Sequence, residues 1–222
     1  MLPINTYFKN IIFHRYIIIC YVLVLTTTDK ASSQSLIKRF FSLSFPEKRW
    51  VICHPFIAKK AFKIGEEARK VSENMKNDRE LDGDANGGQI DAFRHAFWMA
   101  RLSQEIKWKK AYRLGIAHEK GNYRDFKKHR LEEGTLPDSA SCEMDLRNNN
   151  KGIDIGKANP HADIEFLSNT IKKEILKGNL WIIYKDKRGN FLNCNGEIIP
   201  GSEIKGQWSN PKCLVPSNTP RP

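Results

Sequence analysis

The sequence lacks an apolar run long enough to span a membrane as an ordinary helix. Its longest run, Tyr16–Leu25, has ten residues, whereas a spanning helix needs roughly 20. Lys9 and Arg15 precede the run, and polar and small residues as far as Ser33 follow it. This is the layout of a secretory signal peptide, so we expect residues 1–33 to be a signal peptide that is cleaved near Ser33.

An uncleaved signal anchor through residues 10–26 is the alternative, and either reading predicts an exported protein in the periplasm, the cell envelope or the extracellular space. Membrane contact is then expected only through this N-terminal segment.

The sequence also has few acidic residues relative to basic ones. It contains 25 Asp and Glu residues and 37 Lys and Arg residues, which gives a net charge of +12. The sequence has no arginine residues interleaved with aromatic residues and no recognised nucleic-acid motif, so nucleic acid is not indicated as a partner. Many lysines lie on predicted helix faces, which favours a solvated basic surface. The alternative is attraction for phosphates, anionic lipid head groups or acidic glycans.

Cysteine is scarce, with five residues in the chain. Loss of the leader removes one and leaves Cys53, Cys142, Cys194 and Cys213, an even number with three ways to pair. We favour Cys194 with Cys213, which would fix the C-terminal tail. All four would instead be reduced and buried if the protein faced the cytoplasm.

No internal repeat is present, and the length fits one domain with appendages. The apolar spacing predicts a mainly α domain, with helices over residues 55–75, 89–106, 109–120 and 161–176. The second helix is apolar on nearly every side, so we expect a compact domain built round a central buried helical hairpin. Gly121 is expected to end the third helix and begin a loop up to residue 140, and a turn is expected at Gly152.

After Gly178 the pattern becomes that of β-strands separated by turns, which predicts a small C-terminal β-hairpin and then a Pro- and Ser-rich tail. The expected organisation is a leader to residue 33, a linker or short amphipathic segment over 34–50, a helical domain over 51–178, and the hairpin and tail over 179–222.

Asp91 and His95 lie four residues apart on the central predicted helix and therefore share one face. His118 is about as far from the predicted turn near residues 106 and 107 as His95 is, about 17 Å along each helix. In an antiparallel hairpin the two imidazoles should therefore face each other. Glu119 follows His118 but lies about 100° around the helix.

Asp145, followed by Asn148 and Asn149, offers a second acid with supporting amides. Imidazoles with carboxylates suit Zn, Mn or Fe, so His95, His118, Asp91 and Asp145 are candidate metal ligands, and a metal-held water could serve as a hydrolytic nucleophile.

Two other interpretations of these residues need no metal ion. Asp91 could orient His95 as a general base, with His118 or Glu119 as the acid. Alternatively Asp91, His95, Arg94 and Asp145 form a structural hydrogen-bond network. The zincin motif is absent, because no second histidine stands four residues after His118.

The segment Asp82-Gly-Asp84-Ala-Asn86-Gly reproduces the first half of a calcium loop, with oxygens at positions 1, 3 and 5. Position 12 is Phe93, where a bidentate glutamate is expected. We therefore favour a simple turn-rich loop over a calcium site.

The strings DAFRHAFWMA, AHE and MDLRNN, the last followed by a glycine, resemble a family of bacterial domains of unknown function, DUF6973. The resemblance covers residues 85–156 and implies a shared polar site, but no activity. The positions that it carries over are Asp91, Arg94, His95, His118, Glu119, Asp145, Asn148 and Asn149.

The leading hypothesis from the sequence is an exported helical protein with a polar Asp/His/Glu site, acting as a metal-dependent hydrolase on an anionic or envelope substrate. One alternative is a non-enzymatic envelope protein whose motif is a structural network. Another is a basic polyanion-binding module, whose affinity would fall steeply with salt.

Overall fold

The computed structural model describes residues 38–131 and 134–222. The chain divides into a unit that ends at Leu43 and a second unit, Ser44–Pro222, which contains every candidate site residue. The predicted signal peptide and the anchor over residues 10–26 lie outside the described residues. Among the described helices, none combines the length and the apolar character needed to cross a bilayer.

The second unit is mainly α with a small two-stranded antiparallel sheet near the C-terminus, which confirms the predicted fold class. Its helices are α1 (Phe45–Cys53), α2 (Pro55–Met75), α3 (Gln89–Glu105), α4 (Trp108–Lys127), α5 (Ser139–Ala158), α6 (Ile164–Leu176) and the short α7 (Gly201–Ile204). The strands are β1 (Trp181–Ile183) and β2 (Leu214–Pro216).

Helix α3 forms the centre of the fold, as its apolar character predicts. Phe93, Phe97, Met99 and Leu102 are fully buried, and α3 contacts α2, α4, α5, α6 and β1. Its most extensive partner is α5 rather than its sequence neighbour α4. The residues of α3 and α5 are therefore brought together by tertiary packing, not by a local hairpin.

Two glycines lie inside helices, although the sequence predicts a helix end at Gly121 and a turn at Gly152. Gly121 does not end α4, which continues to Lys127, and Gly152 lies within α5. Each glycine permits a close approach: a Cβ on Gly121 would lie 2.5 Å from Ser44 Oγ, and one on Gly152 would overlap the backbone of Ala96. The loop predicted up to residue 140 is correspondingly shorter, because α5 begins at Ser139.

The strand that follows Gly178 does not pair with its nearest neighbour in sequence. β1 pairs with β2, with Ile182 opposite Val215. The predicted hairpin is reduced to isolated bridges, Lys185 with Phe191 and Leu192 with Ile198. The C-terminal segment thus returns across the domain, and its Cys194–Cys213 disulfide is the pairing that the sequence favours.

Candidate functional site

The first turns of α3 carry three polar residues of the candidate site. Asp91 and His95 are buried, with 6% and 4% of their surface exposed, and Arg94 lies beside them. The backbone N–H of Gly87, just before the helix, donates to Asp91 Oδ2 at 2.6 Å. This bond fixes one carboxylate oxygen and leaves Oδ1 to face Arg94 and His95.

Helix α5 supplies the second acid. His95 Nε2 lies 3.4 Å from Asp145 Oδ1 and 3.5 Å from Asp91 Oδ1. All three residues are buried, and each offers a ligand atom within 4.8 Å of the others. We refer to Asp91, His95 and Asp145 as the Asp–His–Asp group.

Arg94 partly balances the charge of this group. Its Nη2 donates to Asp91 Oδ1 at 2.6 Å and lies 3.3 Å from His95 Nε2. One guanidinium beside two carboxylates leaves a local excess of negative charge when both acids are ionised. Such an excess favours a bound cation.

His95 is held in its neutral form. Burial lowers the pKa of His95 well below its usual value, and the positive charges of Arg94 and His118 lower it further, while the polar side chain of Asn149 raises it. A neutral imidazole keeps a nitrogen lone pair, which both metal ligation and general-base catalysis require.

His118 faces His95 across the α3/α4 hairpin, as the predicted register requires, with ring centroids 6.3 Å apart. Its Nδ1 lies 3.1 Å from Glu47 Oε1 of α1, and it is not a member of the Asp–His–Asp group. Burial raises the pKa of Glu47, but the hydrogen bonds and charge of His118 and the bonds with Ser44 outweigh it and lower the pKa.

Sequence reasoning missed Glu47. Its local signal is the capping box at the start of α1, in which the Ser44 N–H donates to Glu47 Oε2 at 2.9 Å. Ser44-x-x-Glu47 predicts where a helix begins. It carries no information about a partner 71 residues away in the chain.

The remaining predicted residues have separate roles. Glu119 is buried and accepts a hydrogen bond from Asn122 at 3.1 Å. Asn148 holds β1 through two 2.9 Å bonds with the backbone of Trp181. Asn149 is buried between His95 and α4, where a Cβ on Gly115 would lie 3.2 Å from its amide nitrogen.

The oxygens of the calcium-like loop already bond with two cationic side chains from the C-terminal segment. Lys185 Nζ lies 2.7 Å from Asp84 Oδ2 and 2.5 Å from the carbonyl oxygen of Asn86. Arg221 Nη2 bonds with Asp82 at 2.6 Å and with Asp84 at 2.9 Å. The loop therefore connects the C-terminal segment to α3, in agreement with the turn-rich loop that the sequence favours.

A cavity of about 490 Å³ opens beside the Asp–His–Asp group. Asp91, Arg94 and Asp145 line the cavity, whereas His95 does not. Cavities of this size accommodate small molecules. The two acids and the guanidinium are thus placed to meet a ligand, and the imidazole supports them from within the core.

Comparison with known proteins confirms the family that the sequence resembles. The model of a family described as a domain of unknown function (DUF6973) matches residues 48–179, from α1 to just before β1. The match contains every residue of the Asp–His–Asp group and extends beyond the segment in which the motifs lie. No curated protein and no solved structure matches the chain.

Proposed function

The chain belongs to the DUF6973 family, and we propose that it is a metal-dependent hydrolase of an anionic or envelope substrate, with the Asp–His–Asp group as its metal site. The observation that carries this proposal is the convergence of one neutral imidazole and two carboxylates, all buried, beside a cavity that the two carboxylates line.

The spacing of the donor atoms supports a metal ion. In a tetrahedral site with bonds of about 2.0–2.1 Å, neighbouring ligand atoms lie about 3.4 Å apart. His95 Nε2 is 3.4 and 3.5 Å from the two carboxylate oxygens. The set of one nitrogen and two oxygens suits Zn, Mn or Fe, and three protein ligands leave a position for water or substrate.

The metal ion would supply Lewis acidity and a nucleophilic water at neutral pH. The fold would hold the three ligand side chains in position before the ion binds. Gly87 fixes Asp91, burial keeps His95 neutral, and α5 presents Asp145. Arg94 Nη2 bonds with Asp91 Oδ1 at 2.6 Å, so a bound metal ion would displace this guanidinium. Arg94 also lines the cavity, where its charge can neutralise an anionic substrate.

An exported location is part of the same proposal. The Cys194–Cys213 disulfide is compatible with it, because disulfides persist in oxidising compartments.

The test is the metal content of the purified full chain, measured by inductively coupled plasma mass spectrometry. Wild type should contain a stoichiometric transition metal, and His95→Gln and Asp145→Asn should lose it. His161→Gln, at an exposed histidine outside the site, is the matched control and should retain the metal. The metal-loaded protein is then assayed with phosphoester, peptide and lipid-ester model substrates.

Absence of metal from wild type after exposure to zinc, manganese and iron would disprove the metal site. A pure structural network makes a different prediction, because His95→Gln would then lower the unfolding free energy by about 1–3 kcal/mol without any change in metal content.

A further inference from the structure

The cavity beside the Asp–His–Asp group has a wall that the family-matched residues do not supply. The matched region ends at residue 179, whereas Ile183, Phe191, Ile204, Lys205 and Lys212 all line the cavity. We refer to these five residues as the C-terminal wall. This wall and the proposed metal ligands therefore come from different parts of the chain.

Several contacts hold this wall in place. The disulfide joins Cys194 to Cys213, and the backbone N–H of Cys213 donates to Leu192 at 3.2 Å. Trp208 packs on Tyr123 of α4, with ring centroids 4.7 Å apart, and its carbonyl oxygen accepts from the N–H of Ser139 at 2.9 Å. The wall is thus fixed to α4 and to the first residue of α5.

Lys212 is a buried cation of this wall. Only 9% of its side chain is exposed, and its Nζ lies 2.5 Å from Asp138 Oδ2. The same nitrogen lies 3.9 Å from the centroid of the Phe191 ring. Lys205, by contrast, is exposed and forms no ion pair with any described residue, so its charge is available to a ligand in the cavity.

Among residues 38–131 and 134–222, the charges of the lining balance without a metal ion. Three carboxylates, Asp91, Asp138 and Asp145, stand against the cations Arg94, Lys205 and Lys212. A divalent ion in the Asp–His–Asp group would leave a surplus of two positive charges. This surplus matches a dianionic group better than a singly charged carboxylate.

Apolar side chains form much of the rest of the lining, with some polar side chains among them. The apolar ones include Leu131, Leu136, Pro137, Ile183 and Ile204. A ligand that fills about 490 Å³ is larger than an inorganic anion. A remaining part that is largely apolar would be stabilised by burial against these side chains.

We propose that the cavity binds a phosphate monoester with an apolar alcohol group, and that the C-terminal wall determines this specificity. The proposal rests on the metal site of the proposed function. The phosphate lies between the Asp–His–Asp group and the cations Lys205 and Lys212, and the alcohol group contacts Leu136 and Ile204.

Hydrolysis forms a bond between a water oxygen and phosphorus and breaks the bond between phosphorus and the ester oxygen. One proton of the water ends on the released alcohol and the other on inorganic phosphate. No oxidant or further reactant is needed.

The test uses the metal-loaded full chain with para-nitrophenyl phosphate and inorganic phosphate as probes, and measures Kd by isothermal titration calorimetry. Wild type should bind the ester more tightly than inorganic phosphate. Lys205→Met should weaken binding of the ester about tenfold, equivalent to about 1.4 kcal/mol. Lys187→Met, at an exposed lysine of the same segment that does not line the cavity, is the matched control and should leave Kd unchanged.

The proposed contact between the alcohol group of the ester and Ile204 is tested with Ile204→Ser. This variant should reduce the preference for the ester over inorganic phosphate and leave the affinity for inorganic phosphate unchanged. Metal content is measured for every variant and should equal that of wild type, because none of these residues belongs to the Asp–His–Asp group.

Two results would overturn the specificity proposal while the metal site stands. The first is a metal-loaded wild type that does not bind para-nitrophenyl phosphate at millimolar concentration. The second is a Lys205→Met variant that binds it as Lys187→Met does. A wild type without metal overturns the proposed function itself, so metal content separates the two failures.

Discussion

Gly152 of α5 lies directly against the backbone of Ala96 of α3, so closely that a Cβ on the glycine would overlap the alanine carbonyl. Gly156 meets Ala100 in the same way one turn later. This contact sets the separation of the two helices. Because Ala96 follows His95 directly, it also decides how close Asp145 comes to the imidazole.

Gly152→Ala should destabilise the fold and the site together. The added methyl group forces α5 away from α3, and overpacking of this kind costs about 1–3 kcal/mol. Chemical denaturation should show the loss, and metal affinity should fall with it. Gly65→Ala is the control: its Cβ would make an ordinary 3.7 Å contact with Trp98 Nε1, so it should stabilise α2 by up to about 1 kcal/mol. Equal effects of the two substitutions would refute the close-packing argument.

The metal-free protein should lose stability as the pH falls below 6.5 because of His95. Burial lowers the pKa of His95 below 6.5 in the folded state, so at lower pH the unfolded chain binds a proton that the folded chain does not. The unfolding free energy should therefore fall by up to about 1.4 kcal/mol per pH unit. Urea unfolding between pH 7.5 and 5.5, in the presence of a chelator, should show this slope in wild type and a smaller one in His95→Gln. Identical slopes would contradict a buried neutral His95.

Glu47 and His118 should be energetically coupled across α1 and α4. A double-mutant cycle with Glu47→Gln and His118→Gln should give a coupling of about 1 kcal/mol at pH 7. Since the pKa of Glu47 is lowered in the fold, this contribution is present above its unfolded pKa and should disappear as the pH falls through the lowered value. Additive effects at pH 7 would show that the 3.1 Å contact contributes nothing.

Lys185→Met should destabilise the protein by about 2–3 kcal/mol, because it removes the buried cation that bonds with Asp84 and leaves Arg221 as the remaining partner of this carboxylate. Lys187→Met is exposed and should have no effect. Millimolar calcium should not change the melting temperature of wild type, because Lys185 and Arg221 already bond with the oxygens of the loop. Strong stabilisation of wild type by calcium would show that the loop is a calcium site.

The disulfide should stabilise the C-terminal wall without affecting metal content. Its cysteines are 19 residues apart, and closing a loop of this length is worth about 3 kcal/mol in the chain-entropy model. The Cys194→Ser/Cys213→Ser variant should unfold correspondingly earlier in urea and weaken the binding of para-nitrophenyl phosphate. Cys53→Ser, at an exposed free cysteine, should behave as wild type.

Periodicity alone determined much of this protein. The bounds of α2 follow from apolar spacing that begins at a proline, and the central position of α3 follows from apolar residues on every side. The positions of Asp91, Arg94 and His95 on one helical face are equally local, because residues three and four apart are neighbours on any helix. Equal distances from a short turn were sufficient to place His118 opposite His95.

Tertiary structure decided the rest. A glycine in a sequence signals both backbone freedom and small size, and only the packed fold shows that Gly121 and Gly152 are used for their size. The pairing of Glu47 with His118, and the return of the chain that places Lys212 over the cavity, join residues far apart in sequence. No periodic pattern encodes such contacts, because they depend on which surfaces meet when the helices pack.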